Sequence, residues 1–185
     1  MNTDHAKLCS SPEWAEYLAA ELVPWGLDGV DATGDLLELG GGYGAATAYL
    51  VGRCRRLTVL ESDPVLAAGL ATRFPDADVR HGDGTASGLP AASFDLVACF
   101  TMLHHVSPPT AQDRLFAEAA RLLRPGGWFA GTDSLASDGL REFHADDVYE
   151  PVDPARLPAR LGAAGFVAVR TELDDEVFRF RCRRG

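Results

Sequence analysis

Apolar positions along this chain follow two rhythms, and the switches between them mark out its elements. From residue 36 onward, short apolar runs alternate with stretches of helical spacing. Leu36–Leu39, Leu57–Leu60 and Phe94–Phe100 are predicted strands, with a shorter one around Val79 and another over Trp128–Thr132. Between them the spacing predicts helices over Ala45–Val51, from Pro64 to about Phe74, and over Thr110–Leu123. In the last of these, Leu115, Ala119, Leu122 and Leu123 share the buried side, and Arg124-Pro125-Gly126-Gly127 ends it. Strands alternating with helices predict a mostly parallel sheet with helices on both faces. The chain closes differently. Phe166–Arg170, a polar turn at Leu173–Glu176, and Val177–Cys182 read as a β-hairpin, which makes the last strand antiparallel to its neighbour. Ahead of the sheet, Ser11-Pro12-Glu13 is a helix start, with Ser at the cap, Pro in the first turn and an acid near the positive end. That helix is predicted to run to Val23, before Pro24, with Trp14, Leu18 and Leu22 as its apolar stripe.

One turn carries the chemistry. After Leu36-Leu37-Glu38-Leu39 come four glycines in five positions, Gly40-Gly41-Gly42-Tyr43-Gly44, and then the Ala-rich helix. Glycines there allow a sharp turn and a close approach of backbone to ligand, as in the opening of a nucleotide-binding βα unit. Two readings compete. Gly40 to Ala45 fits the dinucleotide pattern G-x-G-x-x-A, and Glu61 follows where a ribose-binding acid belongs. Against this stands Glu38, two residues before the first glycine. Two like charges about 6 Å apart at an effective dielectric near 20 repel by roughly 3 kcal/mol, which would penalise a pyrophosphate and spare an ammonium or sulfonium. Alternatively, Glu38 is a structural carboxylate that caps the loop's own N–H groups, compatible with either ligand.

Composition narrows the field. The 185 residues are 46% hydrophobic and 24% charged, as expected of a globular chain. They are read as one domain, with an N-terminal helical segment over 1–34 and a core over 35–185. A net charge of -10 argues against a nucleic-acid backbone as the main partner. No apolar run has the length of a membrane span, and Met1 to His5 lacks the form of a secretion signal. Cys9, Cys54, Cys99 and Cys182 show no paired spacing, so a reducing cytoplasm is expected. Lys7 is the only lysine in a chain rich in Arg and Ala, which suggests a GC-rich bacterial genome.

The ordered set of motifs resembles the class I S-adenosylmethionine-dependent methyltransferases, in particular their small bacterial members. Glu38 to Gly44 is similar to that family's E/D-x-G-x-G-x-G loop, and Leu60-Glu61-Ser62-Asp63 to the end of its second strand. Gly82-Asp83-Gly84, Leu89-Pro90 and Ser93 to Val97 resemble its third and fourth strands. Leu103-His104-His105-Val106 and Leu122 to Gly127 resemble the next two blocks, and the terminal hairpin matches its reversed seventh strand. The resemblance spans about residues 36 to 183. It implies an α/β, Rossmann-like fold with a seven-stranded, mostly parallel sheet, an antiparallel last strand and helices on both faces.

The resemblance also assigns expected roles. Gly40, Gly42 and Gly44 cradle the methionine part of S-adenosyl-L-methionine, and Glu38 steadies the loop and the ammonium end. Glu61 accepts hydrogen bonds from both ribose hydroxyls, a task for a two-oxygen acceptor. Asp83 binds the adenine amino group beside the Gly84 N–H, and Ser62 flanks the ring. Thr101 borders the methionine carboxylate or the reacting methyl, or else caps the following turn. His104 and His105 lie just past the carboxyl end of a strand, where parallel sheets place their chemistry. One of them is expected to face the acceptor, as a base if a proton must leave, and the other to be structural. His144 and Tyr149, with Asp146 and Asp147, lie in a region that often lines the acceptor site, and Asp133 and Ser134 end strand five above it. No metal site is expected, because His144, Asp146 and Asp147 read as a solvated loop. Trp14 and Tyr17, with Trp25, either wall the acceptor pocket or pack on the sheet edge. The terminal arginines, alternating with Phe178, Phe180 and Cys182, read as a strand with an exposed charged face.

The expected function is therefore methyl transfer from S-adenosylmethionine to a small-molecule acceptor, with no membrane or nucleic-acid partner. A homodimer would build a larger site. A nicotinamide-dependent oxidoreductase and a non-catalytic methyltransferase-like module are the competing readings.

Overall fold

The first strand, β1 (Asp35–Leu39), is buried at every position, and this sets the architecture. A strand covered on both faces needs neighbours on both edges and helices above and below. In the computed structural model, which describes residues 2–185, β1 pairs in parallel with β2 (Arg56–Glu61) on one edge and β4 (Phe94–Phe100) on the other. β3 (Asp78–His81) extends the sheet beyond β2, and β5 (Leu123–Ser134) extends it beyond β4. The hairpin β6 (Phe166–Leu173) and β7 (Val177–Arg184) completes the order β3-β2-β1-β4-β5-β7-β6. β7 inserts between β5 and β6 and is antiparallel to both. Strand order reverses at β1 and β4, the place where open sheets of this kind leave a crevice at their carboxyl ends.

The period-two alternation of the strands sorts their side chains into two cores. Leu37, Leu39, Val97, Cys99 and Phe129 face one way, against the helices α6 (Pro109–Leu122) and α8 (Leu157–Ala163). Leu36, Leu96, Ala98 and Phe100 face the other, against α4 (Ala45–Leu50), α5 (Pro64–Arg73) and the N-terminal helices. Phe129 anchors the first core. Its ring stacks on Phe166 at 5.3 Å between centroids and meets Phe180 edge-on at 4.9 Å.

The predicted strands and helices all form, with ends displaced by a few residues, but several local expectations need correcting. Thr3–Cys9 forms a helix, α1, capped by the Asn2 side chain accepting the His5 N–H. The next helix does not stop at Pro24. It continues as α2 (Pro12–Tyr17), a π-helical turn (Leu18–Leu22) and α3 (Val23–Leu27). Pro24 has no N–H to give, and the widened turn just before it, where the Val23 N–H bonds the Leu18 carbonyl, absorbs that gap. β5 starts at Leu123 rather than Trp128. β6 is interrupted by a bulge between Val167 and Arg170, with Ala168 at φ 52°. The polar stretch after β5 contains a short helix, α7 (Asp138–Phe143), capped by Ser137.

The arginines of β7 are the largest surprise of the fold. They were expected on an open face, yet Arg179 is only 7% exposed. Because β7 is an interior strand, its second face is covered by α3 and the loop after it. Arg179 donates to the Trp25 carbonyl and pairs with Asp28 and Glu172. Arg181 donates to the Asp28 carbonyl, and Arg183 lies over the Trp128 ring. Cations at the carbonyl end of a helix are electrostatically favoured, so Arg179 and Arg181 fasten α3 to the sheet, while Arg183 is exposed as expected.

Replacing Phe129 with Ala removes a ring with no exposed surface at the junction of β5, β6 and β7. We expect a loss of about 3–5 kcal/mol in unfolding free energy, read from urea denaturation followed by circular dichroism.

Candidate functional site

The turn after β1 is held by a carboxylate from the neighbouring strand. Glu61, the last residue of β2, accepts the Gly42 N–H and the Asp63 N–H, each at 2.8 Å. The Gly40 N–H donates to the Leu60 carbonyl, also at 2.8 Å. The glycines divide their work. A Cβ on Gly41 would come within 2.5 Å of Val59, so its absence lets the turn pack on β2. Gly44, at φ 83°, starts α4, and a Cβ there would meet the Phe74 ring at 2.6 Å. Gly44 is therefore a packing residue, whereas Gly40 lines the crevice.

Glu38 departs from its expected place. It is not at the mouth of the turn but 1% exposed behind it, accepting the Thr47 hydroxyl at 2.7 Å. Burial, opposed by the Thr47 bond and assisted by the charge of Glu61, pushes its carboxyl up to about 8. A group held neutral near pH 7 does not repel a diphosphate, so the charge argument made from the sequence does not hold. Nor does Glu38 cap the loop N–H groups, since Glu61 does that. Sequence proximity placed the acid near the turn, but the alternation of β1 sends its side chain into the α4 side.

A crevice of about 270 Å³ opens at the carboxyl ends of β1, β2 and β4. Of the residues expected at a cofactor or reaction site, Gly40, Ser62, Asp83, Gly84 and His105 line it. Asp83 accepts the Thr85 N–H, which shapes the turn after β3. Glu61 sits between two lining neighbours, Leu60 and Ser62. Thr101 ends β4 with φ 49°, a rare conformation for a β-branched residue, and donates its N–H to the Thr132 carbonyl. Residues not foreseen from the sequence, notably Met102, Ala111 and Arg114, complete the wall. Met102 follows the strained Thr101, and a Cβ on Gly40 would lie 3.1 Å from it. Arg114 sits on α6, whose apolar stripe could be read but whose outward positions could not be assigned to a ligand.

Trp14 and Tyr17 do not join this crevice. Their rings face each other at 5.7 Å, Trp14 packs against the core beside α4, and Tyr17 is exposed. Trp25 lies under Arg179 on the far side of β5 and β7. The accessory element at the site is instead α1, which brings in His5.

His104 and His105 split as expected but with sharper roles. His104 is 3% exposed, with Nδ1 2.5 Å from Asp133 Oδ1, while Asp133 also accepts the His104 and Ser134 N–H groups. Burial works against charging His104, but the Asp133 carboxylate outweighs it and holds the ring above its ordinary value. His105 faces the crevice, and burial together with the neighbouring His104 and His5 rings pushes it down to about 3. In the stretch after α7, Asp146 is exposed as a solvated loop would be, but His144 and Asp147 are not. His144 is buried and stacks on Tyr149 at 4.8 Å. Asp147 binds His5 at 3.0 Å, and Asn2 ties α1 to the Phe143 and Ala145 carbonyls. His144 and Tyr149 thus stand behind His105 rather than in the lining of the crevice.

Comparison with known proteins agrees with this geometry. The profile of a family described as "Methyltransferase domain" matches residues 37–131. A probable S-adenosylmethionine-dependent methyltransferase of Mycolicibacterium smegmatis is 36% identical over 139 residues, covering 71% of this chain and 51% of its own length. The chain spans about half the length, or less, of the curated relatives it matches. Among solved structures, a SAM-dependent methyltransferase from Aquifex aeolicus superposes with a TM-score of 0.76 at 16% identity over 100% of both chains. The N-methyltransferase NodS from Bradyrhizobium japonicum, in complex with S-adenosyl-L-homocysteine, superposes with a TM-score of 0.72 at 21% identity, covering 99% of this chain and 93% of that one. At those identities the structures speak for the fold. No helix of the described residues is long and apolar enough to cross a membrane.

The buried Glu38 has a consequence for stability. Its folded-state value lies above the ordinary 4.5, so the folded protein holds a proton that the unfolded chain releases. Its contribution is fully present below about pH 4.5 and is lost as pH rises towards 8. A Glu38→Gln variant, which keeps an acceptor for Thr47, has no such proton. Relative to the variant, the wild type is expected to lose roughly 2–4 kcal/mol between pH 5 and 8, read from denaturation curves across that range.

Proposed function

The chain belongs to the S-adenosylmethionine-dependent methyltransferases, and on that premise we propose that it methylates a small-molecule acceptor in the crevice beside His105. The observation that carries the reading is the convergence of Gly40, Ser62, Asp83, Gly84 and His105, from four separate chain segments, on one crevice at the carboxyl ends of the parallel strands. The residues present fit the cofactor. The Gly40–Gly42 turn offers close backbone approach, and Glu61 keeps some acceptor capacity, since a carboxylate has about four acceptor sites and the two backbone N–H groups and the Ser62 hydroxyl use three.

S-adenosylmethionine supplies an electrophilic methyl group on a sulfonium when it is bound. In our reading Glu61 holds the ribose hydroxyls, Asp83 and the Gly84 N–H hold the adenine edge, Ser62 flanks that ring, and Gly40 and Gly42 cradle the methionine part. Gly44 and Glu38 support the turn from behind, through packing on Phe74 and the bond to Thr47. Thr101 fixes the direction of the backbone where β4 ends, and so the position of Met102 and the histidines. His105 orients the acceptor, and His104, locked to Asp133, positions His105, with ring centroids 4.1 Å apart. His144 and Tyr149 back the same wall. The protein's part in an in-line displacement is chiefly orientation and exclusion of water. A base is needed only for an acceptor that must lose a proton.

The net charge of -10 favours a small acceptor over a polyanion. Free thiols and the Arg- and Ala-rich composition favour a bacterial, cytoplasmic setting.

Calorimetric titration with S-adenosylhomocysteine and with NADH tests the cofactor. We expect binding of the first alone, weakened at least 10-fold in Glu61→Gln, a loss of roughly 1.4 kcal/mol or more. Binding of NADH without S-adenosylhomocysteine would overturn the reading. A panel of small amines, alcohols and acids with S-adenosylmethionine, scored by release of S-adenosylhomocysteine, then tests turnover.

A further inference from the structure

Of the five histidines of the chain, four meet at one place. His5 stacks on His105 with 4.9 Å between centroids and meets His144 edge-on at 4.5 Å, while His105 and His144 are 5.3 Å apart. One ring nitrogen of each lies within 4.8 Å of the other two. Three chain segments far apart in sequence supply them: α1, the turn after β4, and the end of α7.

The hydrogen bonds assign the free nitrogens. His144 Nδ1 faces the Leu140 carbonyl at 2.7 Å, and His105 Nδ1 faces the Val148 carbonyl at 3.2 Å. A carbonyl can only accept, so each Nδ1 carries the proton and each lone pair is on Nε2. His5 Nδ1 donates to Asp147 Oδ2 at 3.0 Å, which selects the same tautomer. His144 is 3% exposed, and its Nε2 is buried with no hydrogen-bond partner. An acceptor left bare in this way is costly, and no donor among the described residues answers it.

We propose that His5, His105 and His144 form a tri-imidazole site for a divalent transition-metal ion, zinc by ligand type, with its open coordination position at the crevice that His105 lines. Three protein nitrogens and one open position are the arrangement of catalytic rather than structural zinc sites. The outer bonds match as well. A metal-bound imidazole gives its other N–H to a carboxylate or a backbone carbonyl, and each of these three rings already does so. Zinc–nitrogen bonds of about 2.0–2.1 Å place tetrahedral ligand nitrogens about 3.3 Å apart. The rings close from their present spacing by movements of about 1 Å each. The sequence offers no sign of this group because His5 and His105 lie a hundred positions apart, with no motif spacing to join them.

The site shares His105 with the methyl-transfer reading, but its test uses the metal alone and so can fail without that reading failing. Tag-free full-length protein, stripped with a chelator and dialysed, is titrated with Zn²⁺ by calorimetry and with Co²⁺ by visible absorption. We expect one equivalent of either ion, the intense cobalt bands of a four-coordinate centre, and a rise in Tm of roughly 5–10 °C at 100-fold excess over Kd. His144→Gln and His5→Gln should each weaken binding at least 100-fold. Asp147→Asn, at the carboxylate that accepts the His5 ring N–H, should weaken it about 10-fold to 100-fold. His81→Ala, at the exposed fifth histidine, should leave it unchanged. If a variant fails to fold, the wild-type cobalt spectrum still decides. Absence of stoichiometric binding to the wild type overturns the proposal, and so does binding that survives in both His144→Gln and His5→Gln.

Discussion

The crevice depends on one carboxylate bridging two strand ends. Glu61 takes an N–H from the glycine turn after β1 and another from the start of α5. These two segments would otherwise be independent loops at the edge of the sheet. A charged acceptor binding backbone N–H groups is among the stronger hydrogen bonds available, and here it is almost removed from solvent. The register of β1 against β2, with Leu39 beside Leu60, brings the turn and the acid to the same height. Any shift of that register would separate them and turn the apolar residues of β1 to the wrong faces. Fold and site therefore share one constraint.

Most of the fold was legible because it is written in periodicity. Five parallel strands, their helices and the reversed hairpin follow from apolar runs and turn residues that act over a few positions. What was not legible depends on which faces later elements cover. The π-helical turn arises from Pro24 inside an otherwise strong amphipathic pattern, where burial of Leu18, Leu22 and Val23 outweighs the lost hydrogen bond. Arg179 and Arg181 of β7 looked solvent-facing because alternation implies two different faces, and only the position of α3 covers that part of the second face.

The site shows the same division. Gly40, Ser62, Asp83, Gly84 and His105 could be found because strand ends in a parallel sheet converge without further information. Glu38 could not be judged, since whether an acid near a glycine turn faces ligand or core is a matter of strand alternation and of what α4 covers. For Trp14 and Tyr17 the sequence left the acceptor pocket and the sheet edge both open, and packing keeps them out of the crevice. The grouping of His5 with His105 and His144 requires the fold itself. It appears only when α1 is laid against the segment after α7, through Asn2 and Asp147.

The placement of β7 bears on how the polypeptide reaches this arrangement during synthesis. The strand that pairs with β5 is the last of the described strands to leave the ribosome, and it slides into a gap rather than adding to a margin. Until then the long β5 presents unpaired backbone on one side, a template for association with other nascent chains. The nucleotide-facing half can assemble early, while protection of β5 waits for the final hairpin. Stalled or truncated translation products would therefore be sticky even with a well-formed glycine turn, and chaperone demand should be greatest in the interval before β7 is delivered and fall once it is in place.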